Sequence, residues 1–481
     1  METSHRYLLE SILCEAMRLV TTTDHSAGLA ASETNGQPAA LVIDKKTKRR
    51  VAAASTIGTT IEFYDFYAYA AAAVVVFPSL FFPSNDNPTV NLLASFATFG
   101  LAFVARPLGS IVFGHFGDRV GRKATLIGSL LTMGIATILI GLLPTYDQVG
   151  IIAPALLALM RFCQGLGLGG EWSGAALLAG ENAEPTHRAR AAMWPQLGAP
   201  FGFFLANGFM LILVAVLAHE DGDLHGAFMT WGWRLPFLSS ALMIAVGLWV
   251  RFSLEETPVF KQAVDQGKKV KSPLKELFKT SPGPVVQATL IMLSTYTLFY
   301  LVTTWILSYG IGNRSAGTGL SIPYFEFLQL QLLTIVFFAI MVPVSGWLAD
   351  VWGRKNTLTL ASVLLLLFGT VFNFLLDPET ATKTTVFIFL MVGMSIMGLI
   401  FGPMSAILPE LFPTNVRYTG SGIAYNVASI LGAAIAPFIA TWLVSQYSVA
   451  YVGYYLIIVT AITFVAVLTM KENKNHDLRE V

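Results

Sequence analysis

Glu62 and Asp65 lie three residues apart inside an apolar run, and Tyr69 continues the same helical face. In a second apolar run Arg161, Gln164 and Glu171 fall along one broad helical stripe. Ionisable side chains cost at least about 2.5–3.5 kcal/mol each to insert into a bilayer, so they persist where they pair or line a wet cavity. A carboxylate beside an arginine holds or releases a proton according to its solvation and that neighbour, and protonation cancels a buried charge. The pattern is chemistry for carrying protons. Asp65 is assigned first as the carrier and Glu62 second, with Glu171 as a further proton site. The competing reading of Glu62 and Asp65 is a helix-end pair wetted by adjoining solvent. That of Glu171 is a hydrogen-bonded structural carboxylate. Arg161 has two open roles, an ion pair that locks the two runs together or a bidentate grip on a substrate carboxylate.

Other polar and aromatic residues in apolar runs can complete a pocket. These are Tyr64, Gln164, Trp172, Gln196 and Asn207 in the first half, and Tyr296, Tyr300, Trp305 and Asn426 in the second. Aromatic faces suit a quaternary ammonium, whereas an organic acid would lean on Arg161. Arg106, directly before Pro107, is expected near a helix end, where its long side chain snorkels to the interface. Gly165/Gly169 and Gly170/Gly174 are small-xxx-small pairs that let helix backbones approach closely. No GK[ST] phosphate loop occurs, which excludes an ATP-driven pump on this chain. No metal spacing and no nucleophile–base pair stands out, so an enzyme is disfavoured and no metal or cofactor is expected.

The elements that must hold these residues are long apolar helices. Hydrophobic residues make up 54% of the 481 and charged residues 12%, against roughly 25% charged in soluble domains. A net charge of +1 argues against nucleic acid as a partner. Twelve stretches approach the about 20 residues a bilayer demands: 51–77, 91–114, 123–143, 150–179, 191–218, 231–252, 284–310, 324–348, 356–376, 384–409, 418–444 and 449–470. The organisation is a polar tail (1–50), a six-helix lobe (51–252), a Lys-rich central loop (253–283), a second six-helix lobe (284–470) and a short tail (471–481). With both tails in the cytoplasm, 25 of the 30 Lys and Arg fall on cytoplasmic segments, only Arg314 and Lys383 fall outside, and Arg106, Arg161 and Arg234 remain inside or at the ends of helices, which fixes the orientation by charge bias. The first 50 residues lack a signal peptide and read as disordered. Residues 8–20 allow a surface-lying amphipathic helix, and the basic run 44–50 suits anionic lipid. Cys14 and Cys163 do not suggest a disulfide.

The two halves repeat. Residues 114–123 read GHFGDRVGRK and 346–355 read GWLADVWGRK, sharing Gly114/Gly346, Asp118/Asp350, Gly121/Gly353, Arg122/Arg354 and Lys123/Lys355. Duplicated bundles of this kind are common in transporters. These turns resemble the loop signature of the major facilitator superfamily, over about residues 50–470. IEFYDFYAYA (61–70), RFCQGLGLGGEWSGAALLAGENAEP (161–185), WPQLGAPFGFFLANG (194–208), WGWRLPF (231–237) and LEETPVF (254–260) narrow the resemblance to its metabolite:proton symporter family. Members take up α-ketoglutarate, citrate, shikimate, proline or betaine.

The resemblance implies an all-α integral membrane protein of twelve transmembrane helices in two pseudo-symmetric six-helix lobes. It would sit as a monomer in the inner membrane of a bacterium and take up a small polar metabolite with a proton, by alternating access and with no cofactor. It also supports Asp65, since an acidic residue in the first helix beside the fourth-helix arginine is a recurring proton site in this superfamily. Asp118, Arg122, Lys123, Asp350, Arg354 and Lys355, with Glu181, Arg188, Glu410 and Arg417, then form a cytoplasmic gate. Within the fold, the alternatives are a sugar:proton symporter or a drug exporter. From another class, a transporter-like nutrient sensor would need a larger cytoplasmic domain. Helix breakers at Gly198, Pro200, Gly202, Pro403, Gly432 and Pro437 suit a moving bundle.

Overall fold

The computed structural model describes residues 45–83, 87–120, 122–169, 171–181, 183, 185–217, 224, 226–252, 273–414, 416–472 and 474. The tail ahead of Lys45 and most of the central connection lie outside them. Among the described residues the chain forms twelve long helical segments. In the first lobe these are α1 (Lys45–Val75), α2 (Pro88–Val120), α3 (Arg122–Leu142), α4 (Ile152–Leu168, continued by Glu171–Glu181), α5 (Arg188–Leu217) and α6 (Gly232–Val250). In the second they are α7 (Pro282–Ile311), α8 (Tyr324–Val351), α9 (Arg354–Thr370), α10 (Lys383–Glu410), α11 (Arg417–Gln446) and α12 (Val449–Thr469). Eight are each long and apolar enough to cross a membrane, namely α2, α5, α6, α7, α8, α10, α11 and α12, and α3 and α4 contain shorter apolar helices.

Several ends differ from the sequence reading. α1 begins inside the basic run, at Lys45 rather than 51. α2 continues through Pro107 and the first repeated turn to Val120. The ninth segment breaks after Thr370 and resumes as Phe372–Leu376. The central loop carries a short helix, Pro273–Thr280, that buries Leu277 and exposes Phe278.

Within a bilayer, helices associate through close packing rather than through release of water from apolar surface. α2 and α4 show this directly. A Cβ added at Gly165 would stand 2.2 Å from the Ala102 carbonyl oxygen, at Gly169 2.1 Å from that of Arg106, and at Gly109 2.0 Å from that of Leu166. The backbones touch because no side chain intervenes. Outward faces are apolar, with Ile212, Val216, Leu242, Leu333 and Val465 exposed as lipid contact requires.

The lobes meet along α2 with α11 and α5 with α8. Two of the seam-facing helices depart from regular α geometry. α7 widens to a π turn at Leu301–Trp305, and Gln331 Nε2 of α8 donates to the Thr303 carbonyl at 2.8 Å. α11 widens at Ser429–Ala434, just before Pro437, which has no N–H to offer the preceding turn. α10 is interrupted at Gly402–Pro403 and α5 at Leu197.

Candidate functional site

Four charged side chains converge in the middle of the first lobe. Glu62 and Asp65 come from α1, Arg106 from α2 and Arg161 from α4, and all four are buried. Arg106 Nη2 pairs with Glu62 Oε1 at 3.3 Å. Its guanidinium lies 4.7 Å from the centre of the Phe66 ring, and that of Arg161 lies 4.3 Å from the same ring. Arg161 also covers Tyr69 at 4.0 Å. The expectation that Arg106 snorkels from a helix end is overturned. α2 runs on past Pro107 for more than three turns, so Arg106 sits deep in the bundle as the partner of Glu62.

Asp65 is held by hydroxyls. Ser240 Oγ of α6 donates to Oδ1 at 2.5 Å, and Thr137 Oγ1 of α3 donates to Oδ2 at 3.0 Å. Gln164 Nε2 donates to Thr137 Oγ1 at 2.9 Å, and Arg161 Nη1 donates to Gln164 Oε1. Asp65 therefore reaches Arg161 through two side chains rather than by a direct pair. Buried polar groups are ordinarily hydrogen-bonded, yet Arg161 Nη2, Arg106 Nε and the Tyr67 hydroxyl have no hydrogen-bond partner among the described residues.

Across the seam the second lobe answers with aromatic rings. Tyr300 of α7 packs on Phe99 and Phe103 at 5.5 and 5.3 Å, and Tyr296 lies parallel to it at 6.5 Å. Phe299 meets Tyr67 at 5.8 Å and Phe401 at 6.0 Å. The first lobe thus supplies the charges, and both lobes supply π faces.

A second layer of contacts ties the lobes beside this centre. Trp172 stacks on Tyr425 at 3.9 Å with planes 7° apart, and its Nε1 donates to Gln196 Oε1 at 3.1 Å. Gln196 Nε2 donates to the Phe401 carbonyl at 2.8 Å. Asn426 Nδ2 donates to Ser110 Oγ at 2.8 Å and to the Gly169 carbonyl at 3.1 Å.

A third layer, at the end carrying the repeated turns, is ionic. Glu410 of α10 accepts from Arg188 Nη1 of α5 at 2.9 Å and from Arg354 Nη2 of α9 at 3.1 Å. Asp350 of α8 accepts from Arg354 Nη1 at 3.3 Å, from Arg190 Nε at 3.2 Å, and from the backbone N–H groups of Ala189 and Arg190, both at 3.1 Å. A second-lobe carboxylate therefore caps the N-terminus of a first-lobe helix, where peptide dipoles favour negative charge. Ala189, Ala192, Ala349 and Ala406 make a small apolar patch beside it. In this conformation the bundle is shut at the Asp350 end.

Of the residues singled out in the sequence, Arg161, Gln164, Tyr296 and Tyr300 gather at the centre with Glu62 and Asp65. Trp172, Gln196 and Asn426 form the adjoining seam layer. Tyr64 turns toward α6, bonding Ser239 Oγ at 2.6 Å and the Pro236 carbonyl at 3.1 Å. Trp305 stacks inside the second lobe on Tyr309 and Phe372. Asn207 is buried on α5. Asp350, Arg354, Arg188 and Glu410 meet in one network, while Arg417 Nε donates to the Pro409 and Phe412 carbonyls. Lys355 is not part of that network. Its Nζ donates to the Leu468 carbonyl at 2.6 Å, and its N–H goes to Glu472, which also accepts from the Arg354 N–H. The side chains of Glu171, Glu181, Asp118, Arg122 and Lys123 lie outside the described residues. Sequence reasoning missed Thr137, Ser240, Arg190, Tyr425 and Glu472. Only Arg190 carried a signal, a second arginine two residues after Arg188.

Two six-helix lobes of largely apolar helices, tied at one end by an ionic layer and holding buried charges in the first, define the architecture of a membrane transporter. The chain belongs to the Major Facilitator Superfamily, whose family profile matches residues 56–430. It is 53% identical over 433 residues to the "Inner membrane metabolite transport protein YhjE" of Escherichia coli K12, covering 90% of this chain and 96% of that one. It is 34% identical over 430 residues to the "Shikimate transporter" of the same organism (89% and 95% covered). To the "Proline/betaine transporter" of E. coli K12 it is 31% identical over 450 residues (91% and 86% covered). Among solved structures, the fold matches the proton:xylose symporter XylE with a TM-score of 0.69 at 17% identity, over 91% of this chain and 99% of that one. The protein is a metabolite transporter of the membrane, and not an enzyme.

Proposed function

We propose that the protein takes up a small metabolite bearing a carboxylate together with a proton. The observation that carries this reading is the charge balance of the first-lobe centre. Among the described residues two carboxylates, Glu62 and Asp65, face two guanidiniums, Arg106 and Arg161, so this buried set is neutral when all four are ionised. A proton on Asp65 leaves one uncompensated positive charge. A substrate carboxylate restores neutrality, and Arg161 offers it an unpartnered Nη2. Proton and carboxylate enter as a pair because either alone leaves a buried net charge, which is costly in a low-dielectric core. The proton concentration gradient supplies the drive, and where the cargo carries one net positive charge the membrane potential adds about 2.3 kcal/mol at 100 mV.

The tyrosines opposite allow the same site to take a zwitterion, its carboxylate on Arg161 and its ammonium against the π faces of Tyr296 and Tyr300. With both termini in the cytoplasm of a bacterium, as the lysine and arginine bias argues, the ionic layer at Asp350 is the inner gate. This conformation then belongs to the half-cycle closed toward the cytoplasm.

The test is uptake into proteoliposomes under an inward proton gradient, with α-ketoglutarate, citrate, shikimate, proline, glycine betaine and glucose as the panel. Gradient-driven accumulation of a carboxylate compound, lost in Asp65→Asn, is the expected result. Charge movement on a supported membrane separates the two substrate classes, since a monoanion with one proton moves no net charge and a zwitterion with one proton moves one. Glucose as the sole transported compound, or undiminished accumulation by Asp65→Asn, overturns the reading.

A further inference from the structure

Thr137 has one hydroxyl proton and two acceptors for it. Its Oγ1 lies 3.0 Å from Asp65 Oδ2 and 3.0 Å from the carbonyl of Met133 in its own helix. The third neighbour, Gln164 Nε2 at 2.9 Å, can only donate to it. The orientation of that amide is fixed from the other side, because a guanidinium has no acceptor and Arg161 therefore demands Gln164 Oε1. With Asp65 ionised, every bond in the series points the same way, from Arg161 through Gln164 and Thr137 to the carboxylate. Chains of aligned hydrogen bonds polarise and strengthen one another.

A proton placed on Oδ2 changes one link. The carboxyl now donates to the remaining lone pair of Thr137, and the threonine proton turns to the Met133 carbonyl, a back-bond that helical threonines readily make. Both arrangements leave Asp65, Thr137 and Gln164 hydrogen-bonded, so the hydroxyl has two discrete positions rather than a gradual response. The series no longer pulls in one direction, and the hold of Gln164 on Arg161 weakens.

We infer that Thr137 and Gln164 are positioning residues that relay the protonation of Asp65 to Arg161 and so free the guanidinium for the substrate carboxylate. The inference rests on Asp65 being the proton carrier, as proposed above, and adds the order of events, proton before substrate. The surroundings of Asp65 leave little else to carry the signal. α3 and α6 present hydroxyls, Thr137 and Ser240. α1 itself adds Tyr64, whose phenol is engaged by Ser239, and Glu62, which is paired with Arg106 of α2. Arg161 of α4 is linked to Asp65 through Gln164 and Thr137.

The experiment is an infrared pH titration of the full-length protein in vesicles, with isotope-labelled arginine and no substrate. A protonated-carboxyl band that disappears in Asp65→Asn identifies the carrier, and a guanidinium band that disappears in Arg161→Lys identifies the anchor. In the native protein the two bands are expected to shift at the same pH. In Thr137→Val and in Gln164→Leu the carboxyl band is expected to titrate still while the guanidinium band stays still, and Thr137→Ser should restore the joint response. A guanidinium band that follows the carboxyl in Thr137→Val as in the native protein overturns the relay and leaves a through-space effect. Absence of any carboxyl band assignable to Asp65 removes the proton-carrier reading, and the relay with it.

Discussion

Replacing Asp350 by asparagine should loosen the bundle at the repeated turns and leave each lobe intact. The carboxylate makes four contacts, and they divide cleanly. The bond to Arg354 lies within the second lobe, so it is present whether the lobes are together or apart. The bonds to the N–H groups of Ala189 and Arg190 and to Arg190 Nε cross the seam and exist only in the closed state. A hydrogen bond with one charged partner is worth about 1.5–3 kcal/mol and a neutral one about 0.5–1.5. Asparagine offers one acceptor oxygen in place of two, and the two N–H groups use different oxygens. One backbone contact therefore becomes neutral and loses roughly 1 kcal/mol, while the other loses its acceptor and about 1.5–3 kcal/mol. The arginine contact adds at most about 1 kcal/mol, because the Arg190 side chain is 38% exposed and solvent screens it. The closed state should lose about 2.5–5 kcal/mol, a shift of at least about 70-fold in the closed-to-open ratio.

Spin labels on Thr186→Cys and Asn356→Cys, two exposed positions on opposite lobes near this layer, report the opening as a second, longer distance. Cys14→Ser and Cys163→Ser provide the background. Asp350→Asn should raise the long-distance population, and Asp350→Asn with Glu410→Gln should raise it further. A distance distribution unchanged in both variants would mean that the ionic layer does not set the equilibrium, and the reasoning would fall.

Three further outcomes are expected. Gly165→Ala places a methyl 2.2 Å from the Ala102 carbonyl oxygen, so α2 and α4 must separate. A loss of about 1–3 kcal/mol, read as a lower thermal midpoint in detergent, is expected, whereas Gly208→Ala, with nothing within 4 Å, should be neutral. Gln196→Leu removes the bridge from Trp172 to the Phe401 carbonyl and should weaken the closed seam by about 1–2 kcal/mol, visible with the same spin labels and not as unfolding. Arg161→Lys keeps the charge but not the fork. Uptake of a carboxylate substrate should fall at least tenfold at low concentration, mostly through KM, and an unchanged KM would argue that Arg161 does not touch substrate.

The sequence made the architecture legible because apolar length, basic turns and the repeat are all local signals. The ionic layer was legible for the same reason, since Asp350 and Arg354 stand inside a repeated motif. Arg106 was misread because the apolar run ends near Gly114, and a proline follows the arginine. The helix nonetheless tolerates Pro107 and continues to Val120, which moves Arg106 from the edge to the centre. Thr137 and Ser240 gave no signal. A hydroxyl in an apolar helix commonly satisfies itself on the preceding turn, and only the three-dimensional meeting of α1, α3 and α6 shows that these two face a carboxylate. Trp305 and Tyr64 look like pocket residues by type, but the side of the helix on which each lands sends one into the second lobe and the other toward α6.

The four alanines beside the ionic layer bear on how the transporter behaves with temperature. Parting the lobes there wets four methyl groups of this patch, each worth about 0.8 kcal/mol at most. Heat capacity changes follow the apolar area exposed, so the patch adds little to that of separating the lobes. A gate built instead from leucine and phenylalanine would tighten or slacken as the hydrophobic term grows with warming and fades on cooling. With alanine and charge at this end, the layer's own share in the balance between the two states should drift little between cold and warm surroundings, and dissolved salt becomes the stronger influence on that share.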